Sequence, residues 1–188
     1  MTGPTADDDR AAAADGLTEH RDVHQLRRPL PVPLGARGRG TELATRPFRP
    51  GVDDAAWLAV NNRAFAGHPE QSGWTTAELG ERFAAPWFDA DGFLLHERDG
   101  ALAGFCWTKV YAEHDPPLGE IYVIAVDPAF GGRGLGRALT LAGLDWLAAR
   151  GLAVGMLYTD AGNATAMRLY ADLGFSIHHT DRVYRAPG

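Results

Sequence analysis

The stretch "VDPAFGGRGLGRAL", Val126 to Leu139, carries glycine at positions 131, 132, 134 and 136. An apolar run, "GEIYVIAVDP", precedes it and reads as a strand stopped by Pro128; an alternation of Leu and Ala comes after it, as in a helix. Strand, glycine-rich turn and helix in that order are either a loose connection or a cradle for phosphate. The cradle has a physical basis: the first N–H groups of a helix lack partners, and the helix dipole adds partial positive charge there. Glycine keeps side chains off the turn, so an anion can approach the backbone. Arg133 and Arg137 flank the turn and can add charge-assisted contacts. The dinucleotide-binding fingerprint places its glycines early in a βαβ unit. Here at least three strand-like segments come first, so that reading does not fit.

The rest of the chain sets the frame. It has 188 residues, 45% of them apolar and 10% aromatic, enough for an ordinary globular core. A formal net charge of -6 argues against general binding to nucleic acid or to a membrane surface. The lone cysteine, Cys106, sits in the apolar run "LAGFCWTKV" and reads as a small buried hydrophobe. No Cys/His cluster has zinc-ligand spacing, so no metal is expected. No apolar run approaches the ~20 residues of a membrane span, and the polar start does not resemble a signal peptide. A cytoplasmic protein is expected.

Residues 1–40 differ from 41–188. The first sixteen are rich in Ala and Asp and lack large apolar side chains after Met1, which predicts a disordered tail. "LRRPLPVPLGARGRG", Leu26 to Gly40, reads as a Pro/Gly/Arg linker; a nucleic-acid patch is the alternative, disfavoured by the acidic whole. From Thr41 an α+β pattern begins. "ELATRPF" is a strand, and "GVDDAAWLAVNNRAF" a helix capped by Asp53 or Asp54, with Ala55, Leu58, Ala59 and Phe65 on its apolar side. "TTAE" at 75–78 has the spacing of a capping box. "GFLLHERDGALAGFCWTKVY" is a hairpin turning at Asp99-Gly100. A helix from about Gly134 to Arg150, closed by Gly151, succeeds the glycine turn. "AVGMLYT" is a strand, "NATAMRLYADLGF" a helix stopped at Gly174, and "SIHHTDRVY" a last strand.

Two motifs identify a family resemblance. "GGRGLGRAL" resembles the acyl-CoA pyrophosphate loop of the GNAT superfamily of N-acetyltransferases, Gln/Arg-x-x-Gly-x-Gly/Ala, with Gly134 and Gly136 at its small positions. Gly131 departs from it, standing where the family usually has Gln or Arg. "NATAMRLYADLGF" resembles the family's Asn-x-x-Ala-x-x-Leu-Tyr-x-x-x-Gly-Phe helix at Asn163, Ala166, Leu169, Tyr170, Gly174 and Phe175. The resemblance covers about residues 42–185. It implies the GNAT acyl-CoA N-acyltransferase fold, a mixed central sheet splayed at the CoA site with flanking helices (α/β/α), and acetyl-CoA as co-substrate.

The same resemblance assigns residues. Backbone groups of Ile124, Ala125 and Val126 would hold the acetyl carbonyl and pantetheine. Gly131, Gly132, Arg133, Gly134, Leu135, Gly136 and Arg137 would hold the pyrophosphate, and Asn163, Ala166 and Arg168 would contact CoA. Glu120 would be the base and Tyr170 the acid. Read from the residues alone, generic spacing favours a solvated strand-end glutamate at Glu120, and Tyr170 reads as a core tyrosine. Longer segments, among them "WTKVYAEH" and "LGEIYVIAVDP", resemble the catalytic C-terminal half of GNAT enzymes built from two fused domains. That implies a small-molecule amine acceptor, the cysteinyl-glucosaminyl-inositol Cys-GlcN-Ins, lined by Glu70, Lys109, Glu120 and Tyr158. Asn61, Asn62 and His68 to Gln71 would add amide and charged partners for its hydroxyls. "LTEHRDVHQLRRPLPVPLG" reads as the closing strand of a preceding GNAT half plus the linker, so a second GNAT domain or self-association is expected to complete the protein. Another amine acceptor and a noncatalytic CoA-binding remnant stay open; the joint presence of the glycine turn, Glu120 and Tyr170 speaks against the remnant.

Overall fold

In a computed structural model, residues 3–38, 42–68 and 70–186 are described. The join expected at 40/41 therefore lies outside the described residues, as does Pro69. In chain order the elements are α1 (Ala6–Ala14), β1 (Thr18–Pro29), α2 (Leu34–Arg37), β2 (Arg46–Pro47), α3 (Asp54–Ala64) and α4 (Thr76–Phe83). The hairpin β3 (Phe93–Arg98) and β4 (Ala101–Tyr111) comes next, then β5 (Leu118–Val126), α5 (Leu135–Ala149), β6 (Val154–Asp160), α6 (Ala164–Asp172) and β7 (Ser176–Arg185). The chain divides into two units: Leu30–Gly155, and the residues up to Pro29 with those from Met156 onward.

In the unit Leu30–Gly155, strands β2, β3, β4 and β5 lie side by side in that order, each pair antiparallel. Asp99 (φ 53) and Gly100 (φ 78) are both left-handed, as a tight primed turn between β3 and β4 requires. Thr75 and Glu78 form the reciprocal capping box of α4. One face of these strands carries an aromatic core. Phe93 stacks on Phe48 at 4.3 Å and on Trp107 at 4.2 Å between ring centroids, and the wholly buried Trp57 of α3 meets Phe93 edge-on. The buried side of α3 is Trp57, Val60 and Asn61, whereas Ala55 and Ala59 are exposed. The helix turns its largest ring to the core, and the two alanines, with little area to bury, face out. Asp53 stands at the N-cap of α3 but makes no cap bond. Its carboxylate instead accepts from Arg46 and Arg49, and Arg46 above all holds it well below the usual carboxylate range.

The opposite face of β4 and β5 packs against α5. A Cβ at Gly143 would collide with the Cys106 sulfur and sit 3.5 Å from Thr108 Cγ2, so only glycine lets the helix come this close. Between Trp107↔Val123 and Thr108↔Ile121 the ladder slips by one residue, leaving Tyr122 as a bulge in β5. The bulge resets which face each later residue of β5 presents.

In the other unit β6, β1 and β7 are neighbours in that order, and β1 runs antiparallel to β7 with Leu26 opposite Ile177. Residues 6–14 of the expected disordered tail are helical, and 18–29 form a strand that takes up the first residues of the segment read as a linker. Thr5 and Asp8 make a capping box, and three aspartates lie in the first turn of α1, where the helix dipole favours them. Asp9 then ties α1 to β7 by accepting from Arg182 (3.0 Å) and from the Tyr184 hydroxyl (2.6 Å). In β1 the buried Arg28 donates to the Leu173 carbonyl and to the Pro29 carbonyl and lies over the Phe175 ring.

The Gly143 contact is directly testable. Gly143→Ala is expected to lower the unfolding free energy by about 1–3 kcal/mol in a denaturant titration, the ordinary cost of overpacking. Adding Cys106→Ala removes the colliding sulfur and is expected to return a large part of that loss.

Candidate active site

Asp127 closes β5 and anchors the turn that leads to the glycines. It is 4% exposed, and its carboxylate accepts from the Ala129 amide (2.9 Å) and from Arg63 of α3 (2.5 Å). Burial pushes its pKa up, but the Arg63 and Ala129 bonds outweigh that and leave it below the usual value. The turn itself is a single 3₁₀ turn, Pro128–Phe130. Residues 131–134 are exposed, and Gly132 (φ 73) and Gly134 (φ 75) are left-handed. No atom lies within 4 Å of a Cβ built on either, so backbone conformation and not space requires glycine there. Gly131 differs. Its φ of -60 and ψ of 163 suit any residue, so the departure at 131 is not imposed by the backbone.

Gly134 is the N-cap of α5, and no side chain caps that helix. The first amides of a fifteen-residue helix therefore open onto an exposed turn with no side chain at its two left-handed positions. That arrangement fits a pyrophosphate. Arg133 lies beside the turn with its guanidinium 5.9 Å from the Phe130 ring centre. Arg137 is engaged elsewhere: it donates to the carbonyls of Ala36 (2.7 Å) and Arg37 (3.1 Å), and Arg37 in turn pairs with Asp145 of α5. It thus fastens α2 to α5, with the remaining donors of a five-donor guanidinium left over.

Upstream on the same strand, Glu120 is 5% exposed. A solvated strand-end glutamate is therefore ruled out. Glu120 stands directly across from Lys109, and the Tyr111 hydroxyl donates to its Oε2 at 2.8 Å. Burial pushes the Glu120 carboxyl above its ordinary value, against the opposing pull of Tyr111 and of the Lys109 charge. The Lys109 ammonium lies 4.3, 4.8 and 5.9 Å from the ring centres of Tyr111, Trp87 and Tyr122. Tyr122, the bulge residue, accepts from Arg82 of α4 (3.1 Å). Sequence reasoning missed Tyr111, Trp87 and Tyr122. The period-2 rule puts Tyr111 on the face of Lys109, and only the register with β5 puts that face against Glu120. Beyond the bulge, Ile124, Ala125 and Val126 pair with Cys106, Phe105 and Gly104 and run into the glycine turn.

The amides expected to meet the acceptor are used internally. Asn61 and Gln71 exchange bonds, as do Asn62 and Trp74, so the two asparagines staple the segment after α3. Glu70 is exposed in this segment, its amide donating to His68 Nδ1 and its carbonyl accepting from Trp74. Cys106 is fully buried, and burial pushes its thiol up to about 12, which suits a core residue and not a nucleophile.

The remaining candidates belong to the other unit. Asn163 caps α6 by accepting from the Ala166 amide (3.0 Å). Ala166 is half-buried, Arg168 is exposed, and Tyr170 is 7% exposed with its ring against Phe175. Tyr158 of β6 is exposed, and its hydroxyl accepts from Gln25 at 2.6 Å. Among the described residues no group of three or more His, Cys, Asp or Glu is arranged to hold a metal ion, and no helix is long and apolar enough to cross a membrane.

Comparison with known proteins adds to this geometry. Residues 55–175 match the family model described as the acetyltransferase (GNAT) family. The chain is 52% identical over 179 residues to the mycothiol acetyltransferase of Thermobispora bispora, covering 94% of this chain and 61% of that protein. It is also 52% identical over 171 residues to the mycothiol acetyltransferase of Streptomyces avermitilis, covering 90% of this chain and 55% of that protein. The chain thus spans little more than half the length of these curated relatives. The crystal structure of a GCN5-related N-acetyltransferase from Sphaerobacter thermophilus superposes with a TM-score of 0.72 at 25% identity, over 95% of this chain and 56% of that one.

The burial of Glu120 has a measurable consequence for stability. A carboxyl whose folded pKa is raised destabilises the fold once pH rises through that pKa, because the folded state must then hold the buried charge. Glu120→Gln is therefore expected to raise the melting temperature at pH 8. The gain should vanish below the ordinary carboxyl value of 4.5, where the glutamate is protonated whether folded or unfolded. Melting curves of both proteins across this range check it.

Proposed function

This chain belongs to the acetyltransferase (GNAT) family, and on that premise we propose that it transfers the acetyl group of acetyl-CoA to the cysteinyl amine of Cys-GlcN-Ins, yielding mycothiol. The observation that carries the reading is Glu120, a buried carboxylate held by Tyr111, on the strand that runs into the exposed glycine turn. The identity of about one half to named mycothiol acetyltransferases supports the choice of acceptor.

In this reading acetyl-CoA supplies the acetyl thioester, and the chain's residues position and deprotonate the acceptor. The α5 amides, Leu135 and Gly136 among them, the turn Gly131–Gly134 and Arg133 hold the pyrophosphate. Arg137 joins them with the donors it does not give to Ala36 and Arg37. Backbone groups of Ile124, Ala125 and Val126 hold the acetyl carbonyl and pantetheine. Asn163, Ala166 and Arg168 contact CoA as well. The acceptor's amine is largely an ammonium at neutral pH, since α-amines titrate near ~8. Glu120, directly or through a water, takes that proton, and a carboxyl raised by burial is better matched to this task than an ordinary one. The freed amine forms the N–C bond as the C–S bond breaks; the phenol of Tyr170 hands its proton to the departing thiolate, and the second proton that the nitrogen sheds on becoming an amide restores the phenol through solvent. Holding both reactants in place supplies much of the rate gain, with no covalent enzyme intermediate. Lys109, Glu70 and Tyr158 provide charged and hydroxyl partners for the sugar and inositol. The reaction takes place in the cytoplasm, and the chain associates with a second GNAT domain or with another copy of itself.

Release of CoA thiol from acetyl-CoA in the presence of Cys-GlcN-Ins is the direct test. Turnover with this acceptor supports the reading. A protein that acetyl-CoA stabilises against melting but that turns over no acceptor would overturn it in favour of a binding domain. Tyr170→Phe is expected to lower kcat by about 100-fold, the usual scale of a lost general acid, with KM for acetyl-CoA little changed.

A further inference from the structure

Resting on the reading of Glu120 as the base, we propose that Tyr111 is its positioning residue: the phenol O–H, donated to Oε2, keeps the buried carboxylate ionised and leaves Oε1 to receive the proton.

The register of β4 and β5 creates this contact. Lys109 is directly opposite Glu120, and Tyr111 is directly opposite Leu118. Lys109 and Tyr111, two residues apart, share a face, as do Leu118 and Glu120, so Tyr111 and Glu120 are diagonal neighbours. Diagonal pairs are ~7–8 Å apart at the backbone, a gap that a tyrosine spans and a shorter side chain does not. The phenol closes it at 2.8 Å. The ring has two further contacts, the Lys109 ammonium over it at 4.3 Å and His114 edge-on at 5.5 Å. A buried carboxylate without a donor would give up its charge. Among the described residues the titratable groups that bear on Glu120 are Tyr111 and Lys109, both on β4, and only the phenol donates a hydrogen bond to it. Lys109 acts through its charge from within the cage of Trp87, Tyr111 and Tyr122. Farther out on this face, Arg82 is spent on the Tyr122 hydroxyl. A phenol has one proton to give, and giving it to Oε2 leaves the other oxygen as the basic one.

The experiment is the pH dependence of kcat/KM for the full chain with acetyl-CoA and Cys-GlcN-Ins, in the parent, Tyr111→Phe and Glu120→Gln. Removing the phenol's hydrogen bond makes the ionised carboxylate harder to keep, so the acid limb should move to higher pH. Activity on that limb should fall about tenfold, the usual worth of a hydrogen bond to a charged group, while the high-pH plateau changes little. A Tyr111→Phe profile that superimposes on the parent's, or that is lowered equally at every pH, would overturn the proposal. Glu120→Gln separates the two ideas. If it is slow while Tyr111→Phe matches the parent, only the role of Tyr111 falls. If it keeps the parent's rate and acid limb, the base assignment falls and takes the positioning role with it. Infrared difference spectra give a readout free of turnover: the C=O band of protonated Glu120, absent from Glu120→Gln, should persist to higher pH in Tyr111→Phe than in the parent. An unchanged titration of that band would also overturn the proposal.

Discussion

The pairing of β4 with β5 is the constraint on which the unit Leu30–Gly155 depends, because both faces of this one ladder are fully committed. On one face it meets the aromatic core of Phe93, Trp107 and Trp57. On the other, α5 lies so close that residue 143 can carry no side chain. With neither face free to slide, the slip at Tyr122 becomes a fixed feature, and it decides which residues share a face with the aromatic core. Below the slip that face carries Glu120, Lys109 and Tyr111. Above it, the strand runs toward Asp127 and the glycine turn.

The consequence is a carboxylate placed where physics disfavours it. Burial opposes the charge of Glu120, and the structure meets that opposition only in part, with one phenol and one caged ammonium. Asp53 and Asp127 are also nearly buried, yet both are held below their ordinary values by arginine partners. The contrast separates two uses of a carboxylate. Asp53 and Asp127 are anchors, one fastening the start of α3 and the other the entrance to the glycine turn. Glu120 is left with incomplete compensation, the condition in which burial holds a carboxyl above its ordinary value.

Much of the fold is legible where the signal is local. The Asp99-Gly100 turn, the Thr75–Glu78 capping box, the glycines closing α5 and α6 at 151 and 174, and the Asn163 cap each arise from the conformations and hydrogen bonds that a few neighbouring residues permit. Legibility fails where polar residues find distant partners. β1 carries Gln25 and Arg28 into burial, and their partners are Tyr158 and the Leu173 carbonyl, far along the chain. From Leu26 onward, with its paired arginines and Pro29, the segment looks like a linker until those partners are known. The first helix is a different miss: Thr5 and Asp8 state its start as plainly as Thr75 and Glu78 do, but the absence of large apolar side chains argued for disorder. Its anchor is polar, through Asp9 to Arg182 and Tyr184.

The sequence by itself determined the order of elements from β2 onward, the glycine turn at the head of α5 and the two motifs that carry the family resemblance, because each depends on backbone preferences within a few residues. Only the tertiary structure decided what the polar side chains do. Asn61 and Asn62 are consumed in stapling a loop, Arg137 gives two of its donors to α2, and Glu120 is buried beneath a tyrosine that no spacing rule had linked to it. The physical reason is that a side chain's charge, partners and availability are set by what packs around it. For Glu120 that was fixed by the register between two strands, a long-range choice made by the packing of both faces at once.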